Sequence, residues 1–128
     1  MCGIVAFKGD KKKGSNVIFK GLKLLEYRGY DSCGIGVIDD EEIKTFKWKG
    51  RVSKTEKRFQ ASKIQPGIAI GHTRWATHGE PNDTNSHPII SFKKEFAIVH
   101  NGIIENYKDL KKILKKEGYK FYTETDTE

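Results

Sequence analysis

The chain has 128 residues, of which 36% are hydrophobic and 32% are charged, and 24 Lys and Arg against 17 Asp and Glu give a formal net charge of +7. This length and composition indicate at most one small globular domain and exclude an enzyme with several separate sites. No apolar run approaches the roughly 20 residues of a membrane span, and no basic segment leading into an apolar one marks a secretory signal. Because two cysteines are too few for a disulfide framework, we expect a cytoplasmic protein.

The basic excess raises nucleic acid as a partner. However, the lysines are scattered along the chain and interleaved with Asp and Glu, as on a solvated surface. We therefore expect neither a nucleic-acid partner nor a membrane partner.

In chain order, hydrophobic periodicity predicts short strands separated by helices. We expect strands at residues 2–7, 34–38, 43–48, 68–72 and 96–100, helices at residues 17–26, 53–62 and 107–117, and a strand-like segment at residues 120–122. Because strands and helices do not alternate regularly, an α+β fold is favoured over a doubly wound sheet.

Two of the predicted helices have recognisable ends. Asn16 is expected to cap the first helix, and Gly118 is expected to stop the last one. The last helix should turn Tyr107, Leu110 and Leu114 inward.

Cys2 is a candidate nucleophile because of its position. Its side chain is small enough that removal of Met1 is plausible, and Cys2 would then carry both a thiol and an α-amino group titrating near pH ~8. That amine can take the thiol proton directly or through one water. The alternative is a small buried hydrophobe in the first strand.

Two polar segments follow predicted strand ends. In residues 73–85, Arg74 can hold a carboxylate at two points, with help from Thr77 and His78; a hydrogen-bonded surface loop is the alternative. Further on, the Asn101 side chain and the Gly102 N–H can point at one developing oxyanion, although Asn-Gly is also a common turn.

The remaining cysteine and the four histidines do not indicate a second site. The spacings of His72, His78, His87 and His100 fit no standard ligand pattern, so no metal is expected. Cys33 at a strand start is expected to be an inert buried thiol.

Together, six segments closely resemble the N-terminal glutaminase domain of isomerising glutamine–fructose-6-phosphate amidotransferases, also called glucosamine-6-phosphate synthases. The segments are Met1–Val5, Leu25–Ser32, Gly71–Pro81, His87–Pro88, Val99–Asn106 and Thr123–Glu128. The purine-pathway amidotransferase, asparagine synthetase and glutamate synthase share the Cys2 arrangement and an Asn-Gly pair, but residues 26–32 and 73–81 are not expected in them.

The resemblance implies an α+β N-terminal-nucleophile hydrolase, in which two stacked antiparallel sheets lie between helical layers. Residues 1–128 would form a partial class II glutamine amidotransferase domain, ending before the domain is complete and without the sugar-isomerase domains. Cys2 would attack the side-chain amide of glutamine, its α-amine would act as the base, and Asn101 and Gly102 would form the oxyanion hole.

The resemblance also implies the substrate contacts. Arg74, Thr77 and His78 would hold the α-carboxylate of glutamine, and Asp126 would hold its α-ammonium. Trp75 resembles a residue that gates ammonia passage, and Arg28 is expected beside the nucleophile.

The implied function is hydrolysis of glutamine to supply ammonia for glucosamine 6-phosphate synthesis, without a cofactor. Fructose 6-phosphate would bind only through the missing domains, and full-length relatives are expected to be homo-oligomers. Two alternatives are an inactive fragment that binds glutamine or pairs with a separately encoded remainder, and another class II amidotransferase.

Overall fold

Short strands and three helices make up the computed structural model, which describes residues 1–76 and 79–128. In chain order the elements are β1 (Gly3–Lys8), α1 (Lys11–Leu25), a short 3-10 helix (Glu26–Arg28), β2 (Ser32–Asp39), β3 (Glu42–Lys49), α2 (Val52–Ala61), β4 (Ile68–Arg74), β5 (Ile89–Ile90), β6 (Ala97–Ile98) and α3 (Tyr107–Lys116). Within the described ranges, no helix is long and apolar enough to cross a membrane.

The larger sheet has the strand order β1-β4-β2-β3, and each neighbouring pair is antiparallel. β5 and β6 form a separate antiparallel pair. The α+β prediction is therefore confirmed.

Helices α1 and α2 cover one face of the larger sheet. Leu22 of α1, Phe59 of α2 and Ile35 of β2 are each no more than 1% exposed, and the Phe19 and Phe59 rings lie 5.4 Å apart. Full burial of such side chains contributes about 1.5–3 kcal/mol each, so this face holds the hydrophobic core.

Strand alternation sends neighbouring residues of β4 to opposite faces. A Cβ on Gly71 would meet the Leu22 side chain, and Thr73 Oγ1 donates to the Leu25 carbonyl oxygen, so these residues face the helices. His72 faces the other way and stacks on His87. Arg74, two residues further, shares the face of His72.

Two glycines of β2 allow a second layer to lie directly on that other face. A Cβ on Gly34 would clash with the His87 carbonyl oxygen, and one on Gly36 would lie 3.2 Å from Pro88 Cγ. The segment leading into β5 therefore rests on the sheet, and the chain after it forms the second layer.

The start of the first helix differs from the prediction. α1 begins at Lys11 and is capped by Asp10, whose Oδ1 accepts from the Lys12 N–H at 3.0 Å. Asn16 lies inside the helix. Three lysines followed by Gly14 conceal the helical pattern, but Asp is as good a cap as Asn.

The region after residue 85 differs more. The predicted strand at 96–100 is reduced to β6, it pairs with β5, which was not predicted, and residues 120–122 do not form a strand. Gly118 has φ 92° just past α3, which confirms the predicted stop. α3 nevertheless buries no residue completely, and Leu110, predicted to point inward, is 43% exposed.

Candidate active site

A cleft of about 430 Å³ lies where β1 begins and β4 ends. Seven of the sequence-predicted site residues line it: Cys2, Arg28, Arg74, Trp75, Asn101, Gly102 and Asp126. The other two, Thr77 and His78, lie outside the described residues.

Cys2 is held against the end of β4. The Trp75 N–H donates to Cys2 Sγ at 3.1 Å, and the thiol lies 3.5 Å from the Trp75 carbonyl oxygen. The neighbouring Gly3 N–H donates to Thr73 Oγ1 at 3.1 Å. Cys2 precedes β1 and is only half-buried, so the alternative of a buried strand residue is wrong.

Met1 precedes this thiol, so the Cys2 nitrogen is part of a peptide bond in this structure. Met1 is 78% exposed, and its sulfur lies 3.6 Å from a terminal nitrogen of Arg28. Arg28 Nε is buried and has no hydrogen-bond partner among the described residues. Arg28 therefore lines the same cleft as Cys2 and contacts the side chain of the residue before it.

Asn101 reaches Cys2 from the second layer. Its Nδ2 donates to the Cys2 carbonyl oxygen at 3.0 Å, and its Oδ1 lies 2.8 Å from His72 Nε2. Gly102, the next residue, has φ 153°, a conformation that residues with a Cβ rarely adopt. The side-chain amide thus lies beside the thiol-bearing residue, as an oxyanion donor requires.

Two stacked histidines lie under this amide. His72 and His87 have ring centroids 4.4 Å apart, and His87 Nδ1 accepts from the His100 N–H at 3.2 Å. Burial lowers the pKa of His72 to about 4. Burial, then repulsion from His72 and Arg74, lowers the pKa of His87 to about 3. Both rings are therefore neutral near neutral pH.

Arg74 is the last residue of β4 and is only 4% exposed. Its guanidinium donates to the carbonyl oxygens of Gly79 at 3.2 Å and Glu80 at 3.5 Å. Burial lowers the pKa of Arg74, while the nearby acidic groups Cys2, Asp31 and Asp126 oppose that shift. A guanidinium this basic stays charged, so the cleft has a permanent cation.

Asp126 supplies the opposite charge. Its Oδ2 accepts from the Ile104 N–H at 2.8 Å, and the adjacent Thr127 hydroxyl lies 3.2 Å from His100 Nδ1. These bonds attach residues 125–127 to the segment that bears Asn101. A cation and a carboxylate in one cleft match the two charges of an amino acid.

Trp75 is 46% exposed at the cleft, and its ring meets Tyr30 edge-on at 5.5 Å. Asp31 fixes the backbone next to Trp75, because its Oδ2 accepts from the Ala76 N–H at 3.0 Å.

Cys33 lies apart from the cleft. Its thiol is 2.6 Å from Thr55 Oγ1 and is buried as expected. Burial raises its pKa to about 11, which disfavours the reactive thiolate.

Sequence reasoning missed the part that His72 and His87 play, because it weighed them only as metal ligands. One signal was available: His72 ends a predicted strand two residues before Arg74, so the two would share a face if the strand continued to Arg74, as β4 does. The resemblance includes the segment His87–Pro88 but implies no role for His87, and the position of His87 depends on the path of the second layer.

Comparison with known proteins identifies the family of this chain. The family model of the glutamine amidotransferase domain matches residues 47–128. The glutamine–fructose-6-phosphate aminotransferase (isomerising) of Clostridium perfringens is 54% identical over the whole chain, and the enzyme of that name from Aquifex aeolicus is 50% identical. The chain spans 21% and 22% of the length of these two relatives.

Two solved structures share the fold of this chain. The allosteric regulatory enzyme of purine biosynthesis aligns with 96% of this chain at a TM-score of 0.78 and 27% identity, over 27% of its own length. Glutamine phosphoribosylpyrophosphate amidotransferase from B. subtilis aligns with 98% of this chain at a TM-score of 0.74 and 29% identity, also over 27% of its own length. These matches confirm the expected N-terminal-nucleophile hydrolase fold. The chain belongs to the glutamine amidotransferase domain family.

Proposed function

We propose that this chain, once Met1 is removed, hydrolyses the side-chain amide of glutamine to glutamate and ammonia. One observation supports this above all: Cys2, the Asn101 amide and the opposite charges of Arg74 and Asp126 line the same cleft. A nucleophile, an oxyanion donor and a matched charge pair are what an amidase acting on a free amino acid needs.

In the proposed reaction the Cys2 α-amine takes the thiol proton, and the sulfur attacks the amide carbon of glutamine. Asn101 Nδ2 and the Gly102 N–H stabilise the oxyanion that forms. The carbon–nitrogen bond then breaks as the α-ammonium returns its proton to the leaving ammonia. Water attacks the resulting thioester, releases glutamate and restores the thiol.

The charged ends of glutamine are assigned by charge. Arg74 holds the α-carboxylate, with Thr77 and His78 as its proposed helpers, and Asp126 holds the α-ammonium. Removing one partner of such a charge-assisted contact costs about 1.5–3 kcal/mol, or roughly 10-fold to 100-fold in affinity.

We further propose that residues 1–128 are part of a larger cytoplasmic, homo-oligomeric enzyme. The names of its relatives support fructose 6-phosphate as the acceptor of the ammonia, with glucosamine 6-phosphate as the product. In that enzyme Trp75, exposed at the cleft, would gate ammonia passage, and Arg28 would lie beside the free α-amine.

The test combines chemical labelling with turnover. The expressed chain is incubated with 6-diazo-5-oxo-L-norleucine, a glutamine-like alkylating agent, and its intact mass is recorded with and without glutamine. We expect loss of Met1 and one adduct on Cys2, blocked by glutamine. Cys33→Ala should label like the wild type, because the Cys33 thiol is buried with a pKa of about 11, whereas Cys2→Ala should not label.

Glutamine hydrolysis is then measured as ammonia release by the same variants. Hydrolysis that persists unchanged in Cys2→Ala would overturn the proposal. If a chain without Met1 binds glutamine but neither labels nor turns over, the glutamine-binding alternative replaces it.

A further inference from the structure

His72 Nε2 lies within hydrogen-bond distance of two groups in the second layer. It is 3.2 Å from the His100 carbonyl oxygen and 2.8 Å from the Asn101 side chain. A carbonyl oxygen can only accept a hydrogen bond. His72 Nε2 must therefore carry the proton, and His72 Nδ1 must be the bare nitrogen.

This tautomer decides which way the Asn101 amide points. Because His72 Nε2–H donates, the Asn101 atom facing it must be the oxygen. The opposite end of the amide faces the Cys2 carbonyl oxygen at 3.0 Å, which again can only accept, so that end must be the nitrogen. Two independent contacts thus require the same orientation.

The Asn101 nitrogen carries two hydrogens. One is bonded to the Cys2 carbonyl oxygen, which leaves the second for another acceptor, and Asn101 lines the cleft. We propose that His72 is a positioning residue for the glutamine hydrolysis proposed above: its Nε2–H fixes the Asn101 amide so that the second Nδ2–H faces the developing oxyanion.

The surroundings of His72 suit this role. The residue is completely buried and stacks on His87, which is itself fixed by the His100 N–H. His72 Nδ1 is buried without a hydrogen-bond partner among the described residues. The ring therefore presents one donor in a fixed direction.

The kinetic test uses a matched pair of variants. His72→Gln keeps a side-chain N–H donor, whereas His72→Met has a similar volume and no donor. An oxyanion donor contributes about 100-fold to 1,000-fold in kcat, and a mis-oriented one loses part of that. We expect His72→Met to lower kcat for glutamine about 10-fold to 100-fold, with KM within about 2-fold, because the charged ends of glutamine are held elsewhere.

His72→Gln should recover most of the lost kcat. In an Asn101→Ala background, His72→Met should have no further effect, because its only route to the reaction is through Asn101. Equal kcat losses in His72→Gln and His72→Met, or an undiminished loss in the Asn101→Ala background, would overturn the proposal.

A spectroscopic test works without turnover and without a His72 variant. Nitrogen-15 NMR of the wild-type chain should show His72 protonated at Nε2 and bare at Nδ1. The Asn101 side-chain amide signals, identified by their loss in Asn101→Ala, should be distinct from those of solvent-exposed amides. The opposite tautomer, or free-amide signals for Asn101, would contradict the proposal even if the chain did hydrolyse glutamine. Conversely, the expected signals in a chain that did not hydrolyse glutamine would separate failure of the proposed function from failure of this inference.

Discussion

The two layers of this molecule are packed very differently. The first layer, residues 3–74, buries Ile18, Leu22 and Phe59 between its helices and its sheet. The second layer, residues 85–128, contains α3, which buries no residue completely; its Ile113 is 55% exposed. The first layer therefore has a hydrophobic core of its own, and the second layer packs on it through polar contacts and a few apolar ones, such as Pro88 against Gly36.

The proposed chemistry needs both layers. Cys2 and Arg74 lie on or beside the first, while Asn101 and Asp126 lie on the second. The layers meet at the His72–His87 stack, at Gly34 and at the bond from Asn101 to Cys2. Stability should therefore reside mainly in the first layer, and site geometry should depend on this junction.

Core truncation should have the largest effect on stability. Phe59→Ala removes a ring packed against Phe19 and Phe46 and should lower the free energy of unfolding by about 3–5 kcal/mol. The matched second-layer change, Ile113→Ala, removes an exposed side chain and should stay within about 0.5 kcal/mol. Urea unfolding of both variants measures the difference, and similar losses would contradict the contrast between the layers.

Mild acid should weaken the junction by a few kcal/mol. His72 and His87 have pKa values of about 4 and about 3 when folded, against 6.5 for an ordinary histidine. Below about pH 6.5 the unfolded chain binds more protons, so stability is greatest above that pH and falls as the pH drops towards about 4. The charged or titratable groups that act on these rings are Arg74, His100 and Lys47, which add to the shift.

The urea midpoint should accordingly fall between about pH 7 and about pH 5, a range that lies above the ordinary pKa values of carboxylates. The urea midpoint of His72→Gln should fall less over the same pH range, because one of the two buried rings is absent. A midpoint that rises or stays constant over this range would show that the two rings are not buried and neutral.

Gly34→Ala should force the two layers apart. Its Cβ would clash with the His87 backbone oxygen, which cannot rotate away, so we expect a loss of about 1–3 kcal/mol together with weaker glutamine binding. Gly36→Ala is the control, because its Cβ would meet Pro88 and Ile70 side-chain atoms at 3.2–3.3 Å. Denaturation and calorimetry of both variants test this, and an equal effect at the two glycines would argue against a special contact at Gly34.

The bond between Thr127 and His100 should have the smallest effect. Thr127→Val should cost about 1 kcal/mol and raise KM for glutamine a few-fold, because Asp126 is held by the adjacent backbone. Thr127→Ser retains the hydroxyl and should resemble the wild type. If Thr127→Val and Thr127→Ser have the same KM for glutamine, the hydroxyl does not position Asp126.

The sequence predicted the first layer better than the second. β2, β3 and β4 follow clear hydrophobic patterns, whereas α2 has few apolar positions; the expected bounds of all four are off by two residues or fewer. β5 is only two residues long, and residues 120–122 have strand-like side chains but pair with no strand in the described part of the chain. Both outcomes depend on tertiary contacts, which a local pattern does not contain.

The site shows the same division. The resemblance named nine site residues, of which seven line one cleft, while Thr77 and His78 lie outside the described residues. The sequence did not predict the positioning role of His72, because that role depends on which ring nitrogen holds the proton. That could be worked out only after the His100 carbonyl and the Asn101 amide were located in space.

The most direct test of the central claim is a glutamine titration of the Met1-free Cys2→Ala chain, which cannot turn over, followed by nitrogen-15 NMR. Backbone signals of Thr73 and Arg74 from the first layer should shift together with those of Gly102 and Asp126 from the second, with one dissociation constant. Shifts confined to one layer, or two different dissociation constants, would contradict a glutamine site assembled between the layers.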